Sequence, residues 1–489
     1  METSIRDAAP ARRRSACTVA DASRGLRTAC SILAAGILWL SIQPLASAQI
    51  LSGPFVKDTL YAGDYEVLPA IWQGPALGKQ QSEITATFVF HYEGLVPQEA
   101  RAAFEHAGEI WGRHLQSSVP IHVLVKWEAL GDNVLGTAGP RLVANWRTNM
   151  QWRNTWYPTA IAESMENQDF TGVDDQGNPV PDIESTFNSS FPNWYFGLDG
   201  NVPPNKYDFV SVVMHELGHG LGFTGSFDIE DGDGDASSRD CPNTDTAGLG
   251  CWGLPTTSDG RLFPFIFDRF TEDWRGVALL NATTYPNPST AIALALQSGT
   301  VYFDGPAATA INFNGRVRLY APSTFESGSS YSHLNECESS SEDECPERDD
   351  NPNRLMTPKF GRGEVIRSPG PVTCGIMQDM GWSLGPDCML LVGTDPLEPG
   401  ELFTLEGFGP NPFSDKAEAT LTVDSQQTVR VEVFDVTGRL LATLLDQNVA
   451  AQQPVRIVLL GDHAWASGVY FVRIMGETFS KTQPVVFVR

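Results

Sequence analysis

Residues 215–223 read His-Glu-Leu-Gly-His-Gly-Leu-Gly-Phe, and the apolar residues Phe209, Val210, Val212, Val213 and Met214 before them predict a buried helix. Two histidines four apart on a helix project from one face, so both imidazoles can grip a single Zn2+ ion. Left unpaired in a core, the same rings would each be costly to bury. Glu216 lies between them, too short and wrongly angled to join the metal, yet placed to take a proton from a water that the metal activates. The bland alternative, a pair of ordinary core histidines, fits the apolar setting poorly.

A catalytic zinc site usually has three protein ligands and one open position. The chain has eight histidines, at 91, 106, 114, 122, 215, 219, 333 and 463. The first four fall in a strand and helix ahead of the motif, with no ligand-like setting, and His463 belongs to a separate C-terminal module. His333 stands in Gly-Ser-Ser-Tyr-Ser-His-Leu-Asn-Glu, and Arg354-Leu-Met-Thr-Pro follows about twenty residues later. The motif His-Glu-x-x-His-x-x-Gly, a distant histidine and a methionine in a tight segment together resemble the leishmanolysin-like branch of the metzincin metallopeptidases. The resemblance covers roughly residues 83–388. It implies His215, His219 and His333 as zinc ligands and Glu216 as the catalytic carboxylate. It also implies that Gly222 turns the chain after the helix and that Met356 is the Met-turn residue beneath the metal. Most metzincins carry the third ligand three residues after that glycine; Gly225 stands there and cannot ligate. A long insertion adds only modestly to loop-closure cost, so the distance to His333 is no physical objection. Asp228, Glu230 and Glu272 are rival carboxylate ligands, although the surroundings of Glu272 do not read as the helix that such a ligand needs. Tyr331, beside His333, is the candidate for a second oxyanion donor.

The 489 residues allow two or three domains, and a net charge of −26 excludes nucleic acid and an anionic membrane surface as natural partners. Arg12, Arg13, Arg14, Arg24 and Arg27 precede an apolar run from Ala29 to Ile42, and Ala46-Ser47-Ala48 offers a cleavage site. That run is shorter than the ~20 residues of a bilayer span. Residues 1–48 thus read as an export signal, and the mature chain is expected to have no transmembrane segment. Six cysteines remain beyond it, in three close pairs and without Cys-x-x-Cys spacing. The simplest of their fifteen pairings is 241–251, 337–345 and 374–388, as suits an oxidising compartment.

The chain is expected to be α+β: a metzincin-like domain with a twisted sheet and the zinc helix, then a small all-β antiparallel sandwich. Residues 49–82 read as a short mature leader, 83–389 as the metallopeptidase domain with an insertion at 228–332, 390–400 as a linker, and 401–489 as the sandwich. Ile84–Tyr92 and Val119–Trp127 read as strands. Between them Pro97–Leu115 is an amphipathic helix with Ala100, Phe104, Ala107, Trp111 and Leu115 on one stripe. Pro371–Trp382 reads as a closing helix, and Asp208 as an N-cap of the zinc helix. Ile183, Glu184, Ser185, Thr186, Phe187 and Asn188 form a strand. In the family resembled, a sheet-edge strand pairs with extended substrate, and that role falls to these residues. Asp231, Asp233 and Asp235 are a candidate Ca2+ loop, although it lacks the later Gly and Glu of an EF-hand.

Beyond residue 400, Asn411-Pro-Phe413, the alternating Val429–Phe434, Asp435-Val-Thr-Gly-Arg439 and Ala466–Phe471 closely resemble the type A sorting domain of the type IX secretion system. That implies the type IX machinery as partner and a secreted or surface-attached protein of a Gram-negative Bacteroidetes-type cell. The expected activity is hydrolysis of protein or peptide substrates by a zinc endopeptidase. Two other readings stay open: a secreted binding protein that kept the fold and lost turnover, and a zinc hydrolase of a non-peptide amide bond.

Overall fold

The computed structural model describes residues 49–52, 58–66, 71–72, 82–145, 148–232, 241–312, 315–335, 352–392, 403–409, 411–423, 425–435, 439–451, 453–461, 465–476 and 479–489. The expected signal and its cleavage site, the 337–345 cysteine pair and most of the 390–400 linker lie outside these residues. The fold is mixed, with many strands and seven α-helices among the described residues.

The amphipathic stripe read at Pro97–Leu115 becomes α1 (Gln98–His114), whose Ala100, Phe104, Ala107 and Trp111 are buried. It connects two parallel strands, β2 (Phe88–Glu93) and β3 (Ile121–Glu128). Together with β1 (Asp58–Glu66), β4 (Val134–Pro140), β5 (Ile183–Asn188) and β6 (Lys359–Arg362) they form a six-stranded sheet in the order β6-β1-β4-β5-β3-β2. Strand β5 runs parallel to β3 and antiparallel to β4. One face of this sheet packs on α1 and on α3 (Phe209–Gly220), the helix of the His-Glu-Leu-Gly-His motif. Phe104 of α1 sits 4.8 Å from Phe187 of β5 and 5.2 Å from Phe209 of α3, ring centre to ring centre. A single aromatic layer thus joins sheet, first helix and motif helix. Trp111 Nε1 also donates to the Met214 carbonyl at 2.9 Å, fixing the height of α1 against α3.

The described parts of the 49–82 segment join the sheets of the following domain. Gln49–Ser52 pairs antiparallel with Leu142–Asn145, and β1 enters the main sheet between β4 and β6. Helix α2 (Thr159–Glu166) precedes β5. The 228–332 insertion holds short strand pairs, a three-stranded sheet of Thr271–Asp273, Val301–Phe303 and Val317–Arg318, and helices α4 (Thr290–Leu296) and α5 (Pro306–Ile311). Helices α6 (Gly370–Met380) and α7 (Pro386–Val392) follow and are tied by the Cys374–Cys388 disulfide. Cys241–Cys251 is the second disulfide, so two of the three expected pairings form.

The C-terminal module has its own core. Strands β7 (Phe403–Gly409), β8 (Lys416–Val423) and β11 (Val455–Leu460) form one antiparallel sheet. Strands β10 (Leu440–Val449), β9 (Gln427–Phe434), β12 (Gly468–Met475) and β13 (Ser480–Phe487) form the other. Alternate residues point inward, such as Ala417, Ala419, Leu421 and Val423 from β8 against Val429, Val431 and Val433 from β9. This is the sandwich that the period-two pattern predicts.

Asp182, just before β5, gives one test of the sheet's design. Its Oδ2 accepts from the His122 amide at 2.9 Å. Burial, and then the nearby Glu163 carboxylate, push its pKa up to about 7. The folded chain therefore binds more protons than the unfolded chain between about pH 4 and pH 7. Stability from this group is present below that window and lost as pH rises through it. Urea unfolding should show a stability loss of roughly 2–4 kcal/mol across the window. Asp182→Asn, whose carbonyl can still accept from His122, should flatten that slope; an unaltered slope would reject the assignment.

Candidate metal centre

Helix α3 starts where expected. Asp208 caps it, its Oδ2 accepting from the Ser211 amide at 2.9 Å. Arg367, which the sequence reading missed, closes a buried bidentate pair on Asp208, with Nη2 donating to Oδ1 at 2.9 Å. That pair joins the start of the motif helix to the segment after Met356. At the other end Gly222 takes φ +113°, a left-handed conformation that side chains resist, and the chain turns away.

The three expected histidines meet. His215 Nε2 lies 2.9 Å from His219 Nε2, and each lies 3.2 Å from His333 Nε2. Their other ring nitrogens all face backbone carbonyls: His215 Nδ1 to Leu355 O at 2.5 Å, His219 Nδ1 to Phe223 O at 2.7 Å, and His333 Nδ1 to Ser329 O at 2.7 Å. A carbonyl only accepts, so each Nδ1 carries the proton and each Nε2 presents a lone pair. Burial also holds the His215 ring neutral, lowering its pKa to about 4 against the opposing Leu355 carbonyl. Three lone pairs within 3.2 Å and no proton among them repel unless a cation sits between them. Nitrogens on a tetrahedral ion at 2.0–2.1 Å stand about 3.3 Å apart, close to what is found. Among the described residues, this is the group of His, Cys, Asp and Glu that could hold a metal ion.

Glu216, the next residue on the helix, is fully buried, with neither carboxylate oxygen in a hydrogen bond of normal geometry. Burial raises its pKa well above the usual carboxylate range; the Asp58 carboxylate adds to this and the Leu60 backbone N–H opposes it. Gly136 on β4 makes the room: a Cβ there would lie 2.9 Å from Glu216 Oε1. Asp58 Oδ2 is also 3.4 Å from His219 Nδ1. Neither Asp58 nor Gly136 was singled out in the sequence. The sequence reading took residues 58–66 only as part of the mature leader and did not foresee a strand there.

Met356 closes a short 3-10 turn, Arg354–Met356, and is fully buried. Its sulfur packs on Gly218, where a Cβ would stand only 2.6 Å away. The same turn supplies Leu355 O to His215 and Met356 O to the Leu334 amide, at 2.8 Å. It therefore links the motif helix to the His333 segment. Behind them, Asp268 receives four donors: Ser226 N at 3.0 Å, Ser226 Oγ at 2.5 Å, Phe265 N at 2.7 Å and Tyr331 Oη at 2.9 Å. One buried carboxylate so ties the chain leaving α3, the insertion and the His333 segment together. Gly225, where most metzincins carry a ligand, has no space for one, since a Cβ would stand 2.0 Å from Tyr331 Cε1.

Four expectations need correction or remain outside the structure. Ile183–Asn188 is a strand with the expected bounds, but Ile183, Glu184, Ser185, Thr186, Phe187 and Asn188 lie between β3 and β4 and are paired on both sides. An interior strand has no free edge for a peptide, so that role cannot be theirs. The Tyr331 hydroxyl is spent on Asp268 and Thr271, the latter at 2.8 Å, and does not face the histidines. Of the candidate calcium loop, Asp231 is exposed, while Asp233 and Asp235 lie outside the described residues. Among the rival ligands, Glu230 accepts from Gly232 and Cys241 amides and Glu272 pairs with Arg316, so neither belongs to the cluster; nor does Asp228.

Two family models match parts of the chain. Residues 158–234, which include α3, are similar to a family described as SPBPB7E8-like. Residues 409–488 are similar to the secretion system C-terminal sorting domain. No curated protein matches the chain. No described helix is long and apolar enough to cross a membrane. The β-sandwich is thus a sorting domain, and the chain is cargo of the Bacteroidetes type IX secretion system, delivered outside the cell or to its surface.

Proposed function

We propose that the exported chain is a zinc metalloendopeptidase of the metzincin type, in the leishmanolysin-like branch. The observation that carries this reading is the convergence of the His215, His219 and His333 Nε2 lone pairs, with Glu216 one residue along the same helix. His215, His219 and His333 would hold the ion, each kept in the ligating tautomer by its carbonyl acceptor. A bound zinc ion would polarise the scissile carbonyl and bring the pKa of an attacking water near neutrality. Glu216 takes the proton from that water and delivers it to the leaving amine. Met356 packs against Gly218 of the motif helix, between the two helical histidines in sequence. The intact carboxylate is what favours an enzyme over a binding protein that has lost turnover.

Two measurements test this. Purified full-length protein should carry about one zinc per chain by elemental analysis. His333→Ala should lose most of it, while the far-UV spectrum stays that of a folded chain. Retention of full metal by that variant would remove His333 from the set. Glu216→Gln should keep its metal and lose casein hydrolysis by about 10²–10⁴-fold, the usual worth of a general base. Casein cleavage that survives both this change and chelation would end the proposal.

A further inference from the structure

His215, Glu216, His219, His333 and Met356 are all 0% exposed, so in this arrangement no substrate reaches them. Glu216 lies against Gly136 of β4 and beside β1. Leu60 of β1 pairs with Gly136, the residue against the Glu216 carboxylate, and Asp58 Oδ2 of the same strand stands 3.4 Å from His219 Nδ1. On one margin β1 runs antiparallel to β4, with Asp58 opposite Ala138, Thr59 opposite Thr137 and Leu60 opposite Gly136. On the other margin Thr59 N donates to Gly328 O at 2.7 Å and Tyr61 N to Pro358 O at 3.3 Å. Those two carbonyls lie five residues before His333 and two after Met356. The segment is therefore an extended chain gripped along both margins, with one of its carboxylates beside a histidine of the cluster. That is how a groove takes an extended peptide by strand addition.

Resting on the peptidase reading above, we propose that β1 is an internal occupant of the substrate groove, a self-inhibiting strand that must leave before a peptide can enter. With β1 gone, β4 becomes the sheet edge that pairs with substrate, the role wrongly expected of residues 183–188. Leu60 is fully buried, so the groove accepts an extended peptide with an aliphatic side chain at that place. The strand is also poorly knit into its sheet. Its register slips between Leu60 and Tyr61 against β4, and between Ala62 and Glu66 against β6. Such irregularities interrupt a ladder and weaken pairing. The competing account keeps β1 as a permanent strand whose Asp58 orients His219.

The two accounts separate on variants that loosen β1 in the full chain. Thr59→Pro removes the N–H given to Gly328 and so loosens that margin of the strand. Leu60→Ala removes the buried side chain. The probe is a fluorescent peptide with the sequence of residues 58–66, followed by anisotropy in a Glu216→Gln background that cannot cut it. Casein hydrolysis is read in the parent background, and metal content in both. A self-inhibiting strand predicts about tenfold tighter peptide binding and about tenfold faster hydrolysis in each variant. Folded, metal-loaded variants that bind peptide no more tightly overturn the proposal, and if they still cut casein the peptidase reading stands without it. Tighter binding with no cleavage by any form keeps the occupied groove and removes the peptidase reading. Should either variant fail to fold, hydrogen exchange on the unaltered chain decides: excess peptide must speed exchange of the Tyr61 and Ala62 amides, and unchanged rates overturn the proposal.

Discussion

Three imidazole lone pairs meet with no proton between them, and the surrounding fold is arranged so that they must. Each ring is locked from behind by a carbonyl that can only accept: Leu355 O, Phe223 O and Ser329 O. Beside them Glu216 is fully buried, with both carboxylate oxygens outside any hydrogen bond of normal geometry. Such a buried group costs about 1–3 kcal/mol, a sizeable share of the roughly 5–15 kcal/mol by which an ordinary domain is stable. On the proposed reading a bound cation would offset that cost, since a tetrahedral divalent ion can contribute on the order of 10 kcal/mol. A metal would then be part of the fold as well as of the proposed chemistry.

That requirement explains features that otherwise look unrelated. His333 stands 114 residues from His219, yet a loop of that length costs little more to close than one half as long. What such a loop lacks is precision, and the short contacts around Asp268 and the Arg354–Met356 turn supply it. Asp268 holds Ser226 and Tyr331 on one carboxylate, so the chain leaving α3 and the chain carrying His333 move together. Tyr331 is kept at φ +75°, a strained conformation for a side chain of that size, with its hydroxyl held on two sides. The ring then fills the space beside Gly225 that a ligand would need. The distant histidine and the glycine at the usual ligand position are two consequences of one packing choice.

The sequence discloses whatever is local. The stripe of α1, the cap and apolar run of α3, the bounds of Ile183–Asn188, the closing helix α6 and the alternation of the sandwich all follow from periods of 3.6 or 2. The histidine set was also legible, because a motif on one helix and a short inventory leave few partners. What stayed hidden depends on contacts over long separations. Nothing near Arg367 announces that it pairs with Asp208, 159 residues away. Nothing in the alternation of β5 says whether its neighbours cover both edges, and the substrate role assigned to it failed on that point. A period reports which faces of a strand are buried, not who lies beside it.

The same limit hid the destination of β1, and there the physics of export sharpens the reading. An open edge such as that of β4 would offer unpaired N–H and C=O groups to any extended chain, and proteins rarely leave one bare. On the proposed reading, a hydrolase with an open groove would meet the unfolded chains of its own cell before it reached the outside. A strand from the same chain covers that edge at high effective concentration, needing no partner and no cysteine. Its hold on the groove is a handful of backbone hydrogen bonds broken by two register slips. Each bond is worth about 1 kcal/mol net, enough together to keep the groove shut by a few orders of magnitude while leaving release within reach of one proteolytic cut or a competing peptide. A perfectly knit strand would not let go, and a looser one would not protect. The imperfect register is therefore what a removable cover of this groove requires.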